Sequence, residues 1–314
     1  MTSSIESFRL AVFRTVAECL SFTQAAERLH LSQPAVTSHI KVIEEELAVR
    51  LFERSSGGIR LTPAGERLFT FALEAQRLAQ QALASIGALT GECLGRLRVG
   101  ASTTIAQYVL PGLLAEFRQL HSRVDLSVVS ANTADIVAEM LARRIDLGLI
   151  EGPAGATDVK VETFVPDEIV VIAGESHVFA AGECDTLLPE DLTAEPLLLR
   201  ERGSGTRRVV EDALREAGVD LRLLCIVMEL DSTEAIKSGA EAGLGVGFVS
   251  RWALRSERAS RLRIIPVRGL KIIREFQFIY PLGPEPAGAA GAFLRLARQY
   301  RQPYSTLPVP GPSD

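Results

Sequence analysis

Phe22-Thr23-Gln24-Ala25-Ala26-Glu27-Arg28-Leu29-His30-Leu31-Ser32-Gln33-Pro34-Ala35-Val36-Thr37 decides how this chain is read. Ser21, three residues before Gln24, makes a capping box that opens a short helix with Ala25, Ala26 and Leu29 turned inward. After His30 and Leu31, Ser32 caps another helix with Pro34 in its first turn, where a missing N–H costs little. Val36, Ile40, Ile43 and Leu47 then recur at helical intervals. Upstream, the box Ser3-x-x-Glu6 precedes Ile5, Phe8, Val12 and Val16, one apolar face of a first helix. Three short helices with a brief turn between the last two form a helix-turn-helix, which presents the start of its final helix to the DNA major groove. The polar residues placed there are Gln33, Thr37, Ser38, His39 and Lys41.

Downstream, Leu51, Phe52 and Arg54 lead into Ser55-Ser56-Gly57-Gly58, and Ile59, Arg60 and Leu61 lead out. A Gly-Gly turn between such segments reads as a hairpin, the wing of a winged helix, with Arg54 and Arg60 placed to touch phosphates. Thr62-Pro63 starts a long helix along which Leu68, Ala72, Ala75, Ala79, Ala82, Ile86 and Leu89 repeat at steps of four and three. Such a heptad seam pairs with a copy of itself, so the segment reads as linker and dimerisation arm together.

From Gly95 the texture becomes alternating strands and helices, the pattern of parallel sheets flanked by helices in two small α/β lobes. The expected organisation is α+β and multidomain. Residues 1–61 form the winged helix-turn-helix, 62–92 the linker helix and 93–302 the two-lobed α/β domain. Lobe 1 is expected over about 95–165 and 268–302 and lobe 2 over about 166–267, with a mobile Pro/Ser/Gly tail at 303–314. In two-lobed α/β modules ligands sit at strand C-termini, where helix N-termini offer free N–H groups. Ser102, Thr103 and Thr104 follow the first strand; Ser130, Asn132 and Thr133 follow the second; Gly203-Ser204-Gly205-Thr206 precedes a helix of the other lobe. Ser232 caps a further helix that could close the cleft. The glycines at 203 and 205 let the backbone wrap an oxyanion, with Thr206 and Arg207 adding donors, so the expected ligand is a small anion or anionic metabolite.

The chain's 314 residues, 47% hydrophobic and 23% charged, provide real cores in more than one domain. No run approaches the roughly 18 apolar residues of a membrane helix, and no signal-peptide layout opens the chain, so a cytoplasmic protein without membrane contact is expected. Cys19, Cys93, Cys184 and Cys225 form no C-x-x-C pair and are read as reduced structural thiols; the scattered His30, His39, His121 and His177 suggest no metal, and no cofactor is expected. The net charge of −5, and the nine basic residues against nine glutamates within 1–90, rule out non-specific coating of nucleic acid. No G-x-S-x-G elbow or P-loop supports an enzyme. Gly243-Leu244-Gly245-Val246-Gly247 lies between helix and strand, the wrong order for a dinucleotide loop, and reads as a helix stop. A transport-type solute-binding protein would match the second half alone but would lack the winged helix.

Phe22 to Leu29, Leu31 to Thr37, Leu51-Phe52-Glu53-Arg54 and Leu61-Thr62-Pro63-Ala64-Gly65 together closely resemble the N-terminal signature of LysR-type regulators. The resemblance spans the chain, because that family follows its winged helix and linker with two lobes built like a periplasmic binding protein. It implies a homodimer or homotetramer on an inverted-repeat operator in double-stranded DNA, modulated by an effector between the lobes. Carried over, Gln33, Pro34, Thr37 and Ser38 match groove-facing positions, and Arg54 and Thr62 match backbone contacts; Ser32 opens that surface. His39 departs from the family's more usual Gln or Arg. Ala101 to Leu110 and Gly203 to Arg207 resemble the branch concerned with sulfur assimilation and carbon fixation.

Overall fold

The computed structural model describes residues 7–55, 58–90, 93–179, 187–255 and 261–305. The Ser3–Glu6 box, Ser56-Gly57, Cys184 and the tail beyond 305 lie outside them. Two compact units divide the chain near Gly95.

In the first unit α1 (Phe8–Cys19), α2 (Phe22–Leu29) and α3 (Gln33–Leu47) follow in succession. Ser21 Oγ accepts the Gln24 N–H at 3.3 Å and Ser32 Oγ the Ala35 N–H at 3.3 Å, so two of the sequence caps form as read. Each helix ends on a left-handed residue that is not glycine, Leu20, His30 or Ala48, a conformation costing about 1 kcal/mol or more that tight packing must offset. Val12, Phe13, Val16, Ala25, Ala26, Val36, Ile40, Ile43 and Leu51 make the core. Leu47, expected on that apolar face, is 50% exposed at the helix end.

Two strands, β1 (Phe52–Ser55) and β2 (Gly58–Leu61), pair antiparallel with Phe52 opposite Leu61, giving the wing. Its root is tied to α3: the Glu44 carboxylate accepts the Leu51 N–H at 2.7 Å and the Phe52 N–H at 3.4 Å. α4 (Pro63–Thr90) then runs 28 residues. Leu68 and Ala72 pack into the winged-helix core, and Ala79 is buried. The exposed apolar residues are therefore Phe71 and Leu78, beside the expected seam, together with Ile86 and Ala82 of the seam itself; the Leu89 side chain lies outside the described set.

The second unit contains β3 (Gly95–Ser102), α5 (Thr103–Tyr108), α6 (Leu110–Leu120), β4 (Val124–Ala131), α7 (Thr133–Leu141) and β5 (Leu147–Ile150). A long β6 (Val159–Gly174) is followed by β7 (Pro196–Arg200), α8 (Gly205–Glu216), β8 (Cys225–Leu230), α9 (Thr233–Glu241) and β9 (Val246–Ser250). β10 (Leu262–Ile265), β11 (Ile272–Pro281) and α10 (Gly288–Ser305) close the order. α10 extends three residues into the segment expected to be mobile.

The described strands of this unit form one sheet, ordered β4-β3-β5-β11-β6-β9-β7-β8, with β10 on β6. The expected parallel pairing holds within each lobe, for β3 with β5 and for β7 with β8 and β9. The lobes are joined differently. β6 and β11 are antiparallel and pass through both: Thr163–Gln277 pairs beside β5, and Ile169–Ile272 beside β9. The boundary read near 165 thus falls inside a single strand, whose bulged partner shifts register between Glu275 and Gln277. Each lobe has its own apolar packing: Ile136, Val137, Met140, Ile150 and Ile279 in the first, and Val171, Leu197, Leu199, Val210, Leu214 and Phe248 on one face of the second. Val170, Ile172, Leu198 and Ile236 pack the opposite face, which explains the unbroken apolar run at 169–172. Gly243 and Gly245 carry φ of 77° and 155° between α9 and β9, the helix stop that was read. No described helix is long and apolar enough to cross a membrane.

Gly65, in the first turn of α4, lies where a Cβ would stand 2.2 Å from the Leu51 carbonyl oxygen. Gly65→Ala should therefore force helix and wing root apart, destabilising the winged helix by about 1–3 kcal/mol. Calorimetry on the variant measures this, and an unchanged melting profile rules out the tight approach.

Candidate nucleic-acid interface and interlobe site

On α3, Gln33, Pro34, Thr37, Ser38 and Lys41 are exposed beside exposed Ser32. Ser32 Oγ accepts a backbone N–H and keeps its own proton for a phosphate; Thr37 donates to the Gln33 carbonyl at 3.0 Å and sits on the outer face. Two expected residues occupy other positions. His39 is half-buried, its ring edge-on to Phe8 at 5.2 Å, so it leans toward α1. Thr62 donates its hydroxyl to Arg50 O (2.7 Å) and its N–H to Leu51 O (3.0 Å), while Oγ accepts from Gly65 N. Phosphate oxygens only accept, so Thr62 has nothing left to offer them and serves the wing root instead. In the wing, Arg54 is exposed, and Arg60 is exposed but bonded to Glu53 at 3.0 Å, a carboxylate that a phosphate would have to replace.

The second unit separates the expected ligand residues into two groups. The inner group surrounds Glu151, which follows β5 and is 1% exposed. Its carboxylate accepts from the Thr104 N–H (2.8 Å), the Thr206 hydroxyl (2.6 Å) and Arg274 Nη1 (3.1 Å). Arg274 Nη1 also donates to Thr206 Oγ1 (2.8 Å), and Nε donates to Asp167 at 2.7 Å, whose other oxygen accepts the Ser250 hydroxyl at 2.6 Å. Ser102 lies beside Glu151 without a hydrogen bond of normal geometry, and Thr104 and Thr233 share one at 3.2 Å. Burial pushes the Glu151 carboxyl up, but Arg274, the neighbouring hydroxyls and Arg200 outweigh it and hold it below its ordinary value. At Asp167 burial wins, aided by the Glu151 charge, and its pKa is raised.

The outer group lines a cavity of about 450 Å³ between the N-termini of α7 and α8. Asn132 caps α7 by accepting the Asp135 N–H at 3.0 Å, and Ser204 caps α8 by accepting the Arg207 N–H at 3.4 Å. Gly203 takes a φ of 93°, and its carbonyl accepts the Ala134 N–H at 3.2 Å, joining the two lobes across the opening. Thr133 lines this cavity, and its buried Oγ1 has no hydrogen-bond partner; a Cβ on Gly205 would stand 2.5 Å from it. Exposed Arg202 and Arg208 line the rim, while Arg207 is engaged by Glu211, Glu229 and the Arg200 carbonyl. Three expected residues stand apart: Ser130 is exposed on β4, Thr103 is half-buried at the start of α5, and Ser232 caps α9. Glu151, Asp167 and Arg274 were missed. The available signal was a charge at the end of, or within, an otherwise apolar strand.

Among the described residues no three His, Cys, Asp or Glu side chains group as a metal site, and Cys19 and Cys225 are free thiols. A winged helix, a long helix and a two-lobed α/β domain with an interlobe cavity define a ligand-responsive DNA-binding regulator. The family of bacterial regulatory helix-turn-helix proteins named for lysR matches residues 8–66, and the LysR substrate binding domain matches residues 90–302. The chain belongs to the LysR family of transcriptional regulators. It is 33% identical over 286 residues to the RuBisCO operon transcriptional regulator of Allochromatium vinosum, covering 91% of this chain and 93% of that protein. It is 32% identical to CysL of Bacillus subtilis, covering 86% and 89%. The solved regulatory domain of Synechocystis CcmR in complex with 2-PG superimposes with a TM-score of 0.60 at 30% identity, over 66% of this chain and 98% of that one. These relatives are regulators, and the chain is not an enzyme.

Exposure and donor accounting together separate three variants. The Thr37 hydroxyl also donates internally, to Gln33 O, but on the exposed face of α3 its lone pairs and methyl group remain for base edges. Thr37→Ala and Arg54→Ala should weaken operator binding at unchanged melting temperature, with Arg54→Ala also lowering the salt slope by about one phosphate contact. Thr62→Ala should instead lower stability by about 1 kcal/mol, as lost caps do. Gel-shift titrations at several salt concentrations, beside thermal melts, distinguish the two classes.

Proposed function

We propose that this regulator acts in the cytoplasm, binds an inverted-repeat operator as a homodimer or homotetramer, and responds to a small organic anion held in the outer interlobe cavity. The observation carrying the anion reading is Thr133: a residue with a buried hydroxyl without a partner, lining a cavity between two helix N-termini that Arg202 and Arg208 also line. A hydroxyl, positive helix ends and guanidinium groups together suit a carboxylate or phosphate. The relatives named for the RuBisCO operon and CysL support the branch, and the regulatory domain of CcmR, solved in complex with 2-PG, supports a small-molecule effector. The operator face is the exposed polar start of α3 with Arg54, and Arg60 once released from Glu53. Self-association is supported by the exposed row Phe71, Leu78 and Ile86 on α4.

Two measurements test the reading. In a thermal-shift panel of sulfate, O-acetylserine and 2-PG on the full chain, at least one compound should raise the melting temperature by several degrees, as ligand binding to the native state requires. Thr133→Val should cut its affinity about tenfold or more; a panel without effect, or an unaffected variant, removes the cavity as the effector site. Leu78→Glu should shift the sedimentation equilibrium toward monomer, whereas unchanged association would place the subunit contact elsewhere.

A further inference from the structure

The hydrogen bonds around Glu151 have the composition of an oxyanion site. A backbone N–H (Thr104) comes from lobe 1, a hydroxyl (Thr206) from lobe 2, and a guanidinium (Arg274) from the strand that crosses both. Such a set normally receives a free carboxylate, sulfate or phosphate. Here the anion is covalently part of the chain. Glu151 follows the last residue of β5, and the next residue, Gly152, lets the Gly205 backbone come within 3.3 Å of where a Cβ would be. Electrostatics closes the position further: Arg274 already serves Asp167 as well as Glu151, and Arg200 is paired with Glu201 at 2.8 Å. A free anion at this position would be a third negative charge on one shared guanidinium.

We propose that Glu151 is a tethered carboxylate that fills the inner oxyanion position between the lobes and thereby determines ligand specificity. Small inorganic oxyanions are kept out of the inner part, and effectors are confined to the outer cavity at Thr133, Arg202 and Arg208. This rests on the effector reading above and deepens it, since the same cleft then has one position occupied by the protein and one left for a metabolite. Glu151 also bonds both lobes at once, so its carboxylate does continuously what a bound anion does transiently in a cleft that closes on its ligand.

Chemical rescue tests this on the full-length protein. Glu151→Ala removes the carboxylate and leaves room for formate or acetate. Its melting temperature should fall by about 10 °C, as loss of a buried ionic partner does, and formate or acetate should restore a large part of that relative to chloride at equal ionic strength. The wild type should not respond to these ions. Glu151→Gln keeps the shape without the charge, so it should melt lower than the wild type and show no rescue, because the position is filled. A wild-type-like Glu151→Gln, an unrescued Glu151→Ala, or a wild type stabilised by formate as strongly as the alanine variant would each overturn the proposal. If Glu151→Ala folds only with formate present, the proposal is supported; if it folds in neither buffer, it is overturned. A wild type indifferent to the organic panel, with rescue of Glu151→Ala intact, would instead remove the outer-cavity reading alone.

Discussion

The guanidinium of Arg274 holds the second unit together. It is buried where β6 and β11 cross from one lobe to the other, opposite Asp167 in the strand register and against Glu151 from the end of β5. Burying three charges is costly, and their mutual attraction offsets the loss of water only when the geometry is good. That condition is met by five hydrogen bonds from Arg274, Thr104, Thr206 and Ser250 to the two carboxylates, at 2.6–3.1 Å. The consequence is registration. Slipping β11 by one residue would turn Arg274 to the other face and leave two carboxylates buried without it. The opposite pKa directions of the two acids follow from the same arrangement, since Glu151 has more donors than Asp167.

The first unit is organised by backbone satisfaction instead. Ser21, Ser32, Thr62 and Glu44 each accept main-chain N–H groups that helix starts or the wing root would otherwise leave unpaired. This accounting also decides which residues remain for DNA. A side chain that spends its donor internally, as Thr62 does, cannot give it to a phosphate, whereas Gln33, Ser38, Lys41 and Arg54 stay exposed.

How far the sequence could be read follows from the range of the interactions. Helix caps act over three residues, so the starts of α2, α3 and α9 were legible at Ser21, Ser32 and Ser232, while Asn132 and Ser204, read as ligand candidates, prove to cap α7 and α8 as well. The misplacements came from tertiary contacts. His39 leans on Phe8, and Leu68 and Ala72 turn from the heptad row into their own core. The cleft shows the same division. Its hydroxyls could be found because capping residues mark helix starts, but Arg274 meets Glu151 across 123 residues and Asp167 across 107, and no local pattern encodes such a meeting. The crossing strands were underestimated for a related reason: Asp167, Glu168, Arg274 and Glu275 interrupt the apolar runs by which strands are recognised.

A ligand shifts a conformational equilibrium only when it binds one state better than another. The outer cavity satisfies this by construction, because Thr133 and Ala134 belong to the first lobe and Gly203, Ser204 and Arg208 to the second. Any anion touching both sets binds tighter when they are close. The backbone link from Ala134 to Gly203 lies at this opening, while the Arg274 cluster lies at the crossing of β6 and β11. Any motion between the lobes would therefore be more restrained at one side than at the other. The more restrained side is where two continuous strands and three buried charges resist displacement. The opening carries the Ala134–Gly203 backbone hydrogen bond and two exposed arginines, and on the function proposed above that is where a small anion would alter closure.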